Sequence, residues 1–118
     1  MNKPCIFCEI AAGRMNAEIV HEDEHVVAFR DIHPQAPMHV LIIPRKHISS
    51  MLEIAPEDAE LLGHMHLTAR KLARDLGIAE GGYRSIFNCG TDAGQTVWHI
   101  HLHLMGGRSM GWPPWPGN

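Results

Sequence analysis

The sequence predicts an α+β fold: a five-stranded antiparallel sheet with one long helix on one face and a short N-terminal helix. Three observations support this. Apolar residues recur at helical spacing in one long segment, five short runs are rich in β-branched or aromatic residues, and the turns between runs are short or contain proline. Strands joined by short turns pair antiparallel, and a helix with a single apolar stripe covers one face of a sheet.

In the first half of the chain, a short helix precedes three strands. Pro4–Ala12 carries apolar residues at helical spacing and is followed by glycine. Ile19–His21 and Val26–Arg30 flank a polar turn and predict a hairpin. Asp31–Pro37 contains two prolines and predicts a loop, and His39–Ile43 is an apolar strand that ends before a proline.

The second half begins with the long helix, predicted over Pro56–Leu76. A proline and several carboxylates suit its first turn, because acidic groups complement the positive end of the helix dipole. Tyr83–Cys89 predicts the fourth strand and Val97–Leu104 the fifth. Gly90–Thr96, a loop of small residues, joins these two strands.

Length and composition indicate one domain, which we expect to span residues 1–118. Hydrophobic residues make up 45% of the chain and charged residues 19%, and the net charge is −3. This charge excludes a broad cationic surface, so we expect neither nucleic acid nor a membrane as a partner. No apolar run exceeds four residues, and the N-terminal residues do not resemble a signal peptide. We therefore expect a cytoplasmic protein with reduced thiols.

Three of the ten histidines alternate with aliphatic residues in the last predicted strand. Because successive strand residues point to opposite faces, His99, His101 and His103 are expected to share one face. This pattern fits a solvated face, a metal site, or catalysis by an imidazole nucleophile.

The loop before this strand favours catalysis on a phosphate. Gly90–Thr96 is rich in small residues and can turn backbone N–H groups inward as an anion-binding nest. Gln95 and Thr96 add side-chain donors. We expect the site to hold one phosphoryl group, since the sequence has no lysine-bearing P-loop.

Two long motifs resemble the histidine triad (HIT) superfamily. Gly94–Arg108 is similar to the family signature, and Asp31–Ile48 is similar to its upstream half. The tail Gly107–Pro114 resembles the Hint branch. The resemblance extends from about Ile6 to Pro114 and implies a HIT-like fold.

The resemblance implies hydrolysis of a nucleoside 5′-phosphoramidate or a related AMP conjugate. His101 would attack the α-phosphorus to form a nucleotidyl-histidine, which water then hydrolyses. His103, His39 and Thr96 are the other implied catalytic residues, and no metal is needed for this chemistry. A neutral imidazole suits the first step because its ordinary pKa is about 6.5.

The same resemblance implies a purine nucleotide site. Asp31 would bind the ribose hydroxyls, and Asn88, Gly94 and Gln95 would lie near the phosphate. On sequence alone, core is the better explanation for the residues that the resemblance implies around the purine. These apolar residues are Ile6, Phe7, Ile10, Phe29, Ile32 and Leu41.

Cys5 and Cys8 form a C-x-x-C pair, which indicates a zinc site, a redox pair or two buried thiols. The resemblance to bacterial HIT proteins implies a structural zinc held with His47 and His99. Two thiolates and two imidazoles make a closed tetrahedral site. This assignment would remove His99 from the phosphate chemistry. Cys89 is expected to lie in the core.

The resemblance also implies a homodimer, for which an uncovered sheet edge, Trp112 and Trp115 provide physical support. Two alternative functions remain open. One is a nucleotide-binding regulatory protein with negligible turnover, and the other is a zinc-binding interaction module in which the triad holds metal.

Overall fold

The computed structural model of the protein describes residues 5–114, so the expectations for Pro4 and Trp115 lie outside the described residues. Two α-helices and five strands form the framework, and the fold is the α+β arrangement that the sequence predicts. In chain order the elements are α1 (Ile6–Ala11), β1 (Ile19–Glu22), β2 (Val26–Arg30), β3 (Met38–Pro44), α2 (Ala59–Asp75), β4 (Tyr83–Phe87) and β5 (Leu102–Gly106).

The five strands form one antiparallel sheet in the order β1-β2-β3-β5-β4. β5 therefore lies between β3 and β4, although β4 precedes it in the chain. Within this sheet His103 is opposite Leu41 of β3 on one side and Ile86 of β4 on the other. A residue of the histidine motif is thus placed on an interior strand of the sheet.

The long predicted helix is divided into two parts. Pro56–Asp58 forms a 3-10 turn, and α2 continues from Ala59. Asp58 stabilises this entry, because its carboxylate accepts hydrogen bonds from the Ala55 N–H at 2.8 Å and from Lys46 Nζ at 2.6 Å. Among residues 5–114, no helix has both the length and the apolar character needed to cross a bilayer.

Apolar layers cover both faces of the sheet. On one face α2 packs through Met65, Ala69 and Leu72 against alternate residues of the central strands. On the other face the layer is smaller, and α1 supplies its outer wall. The buried residues of this second layer are Phe7, Ile10, Val27, Phe29, Leu41 and Ile43.

The prediction for the last strand was wrong in its limits: the strand is Leu102–Gly106 and not Val97–Leu104. A strand needs hydrogen-bonding neighbours, and Leu102 is the first residue of this segment that pairs with both β3 and β4. Ile100 instead donates its N–H to the Ile48 carbonyl at 2.8 Å. Ile100 nevertheless packs with Leu102 in the core under α2, so the alternation of faces is preserved.

Candidate active site and metal cluster

Three histidine rings cluster on the sheet face opposite α2. His39 lies on β3 and His103 on the neighbouring β5, with ring centroids 5.1 Å apart. His101 immediately precedes β5, and its ring centroid is 5.0 Å from that of His103. The edge of Phe7 packs on His101 at a centroid distance of 5.0 Å.

His101 is oriented by its own backbone neighbourhood. Its Nδ1–H donates to the His99 carbonyl at 2.8 Å, and because a carbonyl only accepts, the proton must be on Nδ1. The lone pair is therefore on Nε2. Burial lowers the pKa of His101 below its ordinary value, against weaker opposing effects of this hydrogen bond and of Asp31. The ring is thus uncharged at neutral pH, with the Nε2 lone pair free.

A chain of hydrogen bonds determines the tautomers of the other two rings, those of His39 and His103. The backbone N–H of Gln35 donates to His39 Nδ1 at 3.0 Å, so the proton of neutral His39 is on Nε2. This Nε2–H donates to His103 Nδ1 at 2.9 Å. His103 consequently carries its proton on Nε2, which lies 3.4 Å from the side-chain amide of Asn88. This separation is longer than that of an ordinary N–H···O hydrogen bond, so the Nε2–H of His103 is still available to a ligand.

Both rings of this chain are held neutral. Burial, together with the neighbouring His101 and His39, lowers the pKa of His103 to about 4 against an opposing effect of Asp31. Burial also lowers the pKa of His39, although Asp31 opposes the shift. His103 can therefore present an uncharged N–H donor to an anion.

Three potential metal-ligand atoms also lie close together, on Asp31, His39 and His103. The hydrogen bond from Gln35 argues against a metal there. A metal on His39 Nε2 would need the proton on Nδ1, where the Gln35 N–H already points. This arrangement favours a hydrogen-bonded site over the alternative in which the triad holds metal.

A pocket of about 370 Å³ opens beside these rings. Asp31 lies at its wall: one carboxylate oxygen accepts the His33 N–H at 2.9 Å, and the other is 3.4 Å from His39 Nε2. Every apolar residue implied to surround the purine lines this pocket, together with Asp31 and the catalytic candidates Thr96, His101 and His103. The apolar lining residues among these are Ile6, Phe7, Ile10, Phe29, Ile32 and Leu41.

The prediction of an anion-binding nest in Gly90–Thr96 was wrong. The N–H groups of Ala93, Gly94 and Gln95 donate to carbonyls within the loop, at 3.2, 3.0 and 3.1 Å. The loop contains a 3-10 turn that ends at Gly94, whose positive φ of 85° suits glycine. The turn uses these N–H groups internally, so they do not point to a phosphate.

Gln95 is also not a free donor. Its side chain is buried, and its amide oxygen accepts the Gly90 N–H at 3.0 Å. Its amide nitrogen donates to the carbonyls of Ser49 and Val97 at 2.8 and 3.1 Å. Gln95 therefore connects the loop to the segment after β3, while Thr96 alone of this loop lines the pocket.

A second cluster lies at the start of α1. Cys5 and Cys8 bracket its first turn, and their ligand atoms lie within 4.8 Å of those of His47 and His99. Nδ1 of His99 is 3.4 Å from Cys5 Sγ, 3.5 Å from Cys8 Sγ and 3.2 Å from His47 Nδ1. His99 Nε2–H donates to the Pro44 carbonyl at 2.7 Å, which leaves the lone pair on Nδ1. The two cysteine sulfurs and the His47 nitrogen thus surround the Nδ1 lone pair of His99.

This convergence fits a shared cation. Zinc bonds of about 2.3 Å to sulfur and about 2.0 Å to nitrogen, at tetrahedral angles, separate two nitrogens by about 3.3 Å and a sulfur from a nitrogen by about 3.5 Å. The nitrogens of His47 and His99 are 3.2 Å apart, and Cys8 Sγ is 3.3 Å from His47 Nδ1. Without a cation, burial and the neighbouring Cys5 raise the pKa of Cys8 to about 11. The cluster can therefore hold a metal ion such as zinc.

Comparison with known proteins identifies the family. A protein-family model described as "Scavenger mRNA decapping enzyme C-term binding" matches residues 4–112. An uncharacterized HIT-like protein of Synechococcus elongatus is 47% identical over 114 residues, which cover 97% of this chain and 99% of that protein. The chain belongs to the HIT-like superfamily.

Solved structures agree with this membership. A HIT family hydrolase from Legionella pneumophila is 52% identical with a TM-score of 0.94, covering 95% of this chain and all of that one. A histidine triad nucleotide-binding protein from Candida albicans is 31% identical with a TM-score of 0.80, covering 98% of this HIT-like protein and 87% of that chain.

Four other histidines belong to the hairpin and α2. His21 and His64 both contact one carboxylate oxygen of Asp23, at 2.9 and 2.8 Å. Burial opposes the effect, but these hydrogen bonds hold the pKa of Asp23 below its ordinary value. The rings of His25 and His64 pack edge to face, and His66 packs on Phe87. All four serve packing at the surface of this HIT-like protein.

Sequence reasoning missed two contributions to the candidate active site. The first is the backbone N–H of Gln35, which sets the tautomer of His39. The second is the segment after α1, where Met15, Asn16 and Ala17 line the pocket. Neither has a periodic or motif signal, because a backbone donor is independent of residue type and the segment acts only through its position.

Proposed function

We propose that this HIT-like protein is a nucleotide hydrolase of the Hint type, which cleaves a nucleoside 5′-phosphoramidate or a related AMP conjugate. One observation carries the proposal: the neutral His101 ring lines the pocket, and its Nδ1–H is bound to a backbone carbonyl. This is the arrangement that a nucleophilic imidazole requires. The similarity to a HIT family hydrolase and to a histidine triad nucleotide-binding protein supports the same class of reaction.

The proposed chemistry has two steps. His101 Nε2 forms a bond to the α-phosphorus while the bond to the leaving nitrogen breaks, and the nitrogen takes up a proton from solvent and leaves as an amine. Water then attacks the nucleotidyl-histidine: its oxygen bonds to phosphorus, its proton passes to solvent, and the phosphorus–Nε2 bond breaks, which releases AMP and restores the neutral ring. The bond from Nδ1–H to the His99 carbonyl stabilises the positive charge that the ring acquires in the intermediate.

Neighbouring groups would stabilise the phosphoryl charge. The Nε2–H of His103 is held as a donor by the chain from Gln35 through His39. The Thr96 hydroxyl provides a second donor at the pocket wall. Donors that are oriented before the reaction stabilise developing charge at little reorganisation cost. None of these contributions requires a metal.

We assign the pocket to a purine nucleoside. Asp31 would accept hydrogen bonds from the ribose hydroxyls, because a carboxylate offers several lone pairs in one plane. Phe7 and Phe29 pack edge to face with centroids 5.6 Å apart, and with Leu41 they form an apolar slot for the base. Asn88 is next to His103 at the phosphate end. Gly94 and Gln95 act indirectly, through the loop that carries Thr96.

We also propose that Cys5, Cys8, His47 and His99 hold a structural zinc. The convergence of three groups on the His99 lone pair supports this assignment. The ion would tie α1 to the sheet. Protein purified without a histidine tag should contain about one zinc per chain by elemental analysis, and Cys5→Ser/Cys8→Ser should contain none. Fresh wild-type protein without zinc would contradict the assignment.

A homodimer in the cytoplasm completes the proposal. β4 is an edge strand in the sheet of the described residues, with Tyr83 38% exposed, and Trp112 is 82% exposed beside it. Pairing of two such edges would cover these apolar groups. Sedimentation equilibrium should give twice the chain mass, and a monomer would contradict the dimer.

The deciding experiment is incubation with adenosine 5′-phosphoramidate. We expect stoichiometric release of ammonia and AMP, and a nucleotidyl adduct on His101 in acid-free quenched samples by mass spectrometry. AMP binding without turnover would instead favour a regulatory nucleotide-binding protein. Zinc binding without any nucleotide binding would favour an interaction module.

A further inference from the structure

We propose that the Cys5–Cys8–His47–His99 metal site and the nucleotide pocket are energetically coupled through Phe7 and the His99 backbone, so that zinc raises nucleotide affinity. This inference rests on the proposed function for the identity of the nucleotide. It goes beyond a structural zinc, because a purely structural ion would leave the affinity of the folded protein for AMP unchanged.

The first link is helix α1. The same turn that carries Cys5 and Cys8 also carries Phe7, whose side chain is buried between the two sites. The Phe7 ring is 6.0 Å from the ring of His99, a metal-cluster residue, and 5.0 Å from the ring of His101, the nucleophile. Ile6 and Ile10 of the same helix line the pocket. A shift of α1 therefore moves the pocket wall.

The second link is the segment from His99 to His101. His99 presents Nδ1 to the metal cluster, and its carbonyl accepts the Nδ1–H of His101. One residue thus contributes its side chain to one site and its backbone to the other. A metal that holds the His99 ring also limits movement of the carbonyl that orients His101.

Helix α1 needs this external support. It has six residues, and helices shorter than about 12 residues are marginal without tertiary contacts. At its C-terminal end Arg45 donates to the Ala11 carbonyl at 2.6 Å. At its N-terminal end the Cys5 Sγ accepts the Cys8 N–H at 3.5 Å, a weak bond. A metal on both sulfurs would anchor this end, which carries Phe7.

Calorimetric titration of AMP into zinc-loaded and chelator-stripped protein tests the coupling, with circular dichroism to confirm that both are folded. We expect AMP to bind the loaded form about tenfold more tightly, a coupling within the usual range for linked sites. Linkage requires AMP to raise zinc affinity by the same factor. Equal AMP affinity in the two folded forms would overturn the coupling alone. Failure of the loaded protein to bind AMP would overturn the proposed function and the coupling together.

Phe7→Leu provides a test that does not require the stripped protein to fold. The zinc-loaded variant should keep its zinc content but bind AMP several-fold more weakly. Saturating AMP should slow zinc transfer to a chromogenic chelator at least about fivefold in the wild type and much less in Phe7→Leu. Glu9→Gln, on the same helix but outside the pocket, is the matched control and should behave as wild type. AMP affinity and zinc release unchanged by Phe7→Leu would overturn the proposal.

Discussion

The two faces of the sheet are built from the same strands but have different roles. Under α2, Val40, Ile42 and Leu104 pack against the helix and are fully buried. On the opposite face, the neighbouring positions of the same strands are His39, Leu41 and His103. The period of two in a strand places an apolar layer and a reactive layer on one backbone, one residue apart.

This difference teaches where the protein is stable and where it is reactive. The α2 face buries a long helix and carries most of the core. The α1 face leaves a pocket of about 370 Å³ and keeps three imidazoles uncharged beside it. The apolar core on the α2 face supplies stability. This stability allows the α1 face to hold imidazoles, whose burial is unfavourable.

The largest effect should come from His101→Ala, on the reactive face. Loss of the nucleophile should lower kcat by more than about 10³-fold, because a two-step mechanism cannot begin without it. Circular dichroism and the thermal midpoint should stay close to wild type. A folded His101→Ala protein that retains near wild-type turnover would move the nucleophile elsewhere.

On the other face, Met65→Ala should lower stability instead. Met65 is fully buried under α2, and removal of such a side chain costs about 2–5 kcal/mol. Urea denaturation measures this loss, while kcat per folded molecule should be unchanged. Leu67→Ala is the matched control on the same helix, since Leu67 is 54% exposed and should cost less than about 0.5 kcal/mol. A comparable loss of stability in both variants would contradict the assigned core.

Asp31→Asn tests the pocket with a smaller expected effect. The substitution preserves an oxygen for the His33 N–H but removes the charge that would bind ribose hydroxyls. AMP affinity by calorimetry should fall about tenfold, or about 1.4 kcal/mol. Asp75→Asn, at the end of α2, should bind AMP as wild type does. If Asp31→Asn also binds normally, Asp31 serves only the turn.

The last expected effect is the dependence of stability on pH. His103 has a pKa of about 4 in the folded protein, below the ordinary value of 6.5. Between these values the unfolded chain binds more protons, so stability is full above about pH 6.5 and is lost as the pH falls towards 4. Urea midpoints across this range should decrease less in His103→Gln than in wild type. Identical pH profiles would indicate that His103 is not desolvated.

The sequence was sufficient to predict the sheet and the histidines that share one of its faces. It was not sufficient to predict the hydrogen bonds that each histidine makes. Alternation of apolar and polar residues revealed that His99, His101 and His103 share a face, and the structure preserves this phase. Alternation contains no information on partner strands, so the start of β5 at Leu102 was missed. The tautomer of His39 was equally inaccessible, because it depends on a backbone N–H that folding brings to it from Gln35.

The side chain of Gln95 acts as an additional peptide group. Its oxygen and nitrogen bind backbone groups of Gly90, Ser49 and Val97, as a neighbouring strand would. The loop before His101 is therefore ordered when the protein folds, and a ligand that arrives later finds Thr96 already in place. Conformational entropy that folding has removed is not subtracted again from the free energy of binding. A small molecule with few contacts to offer thus meets a receptor that needs little rearrangement.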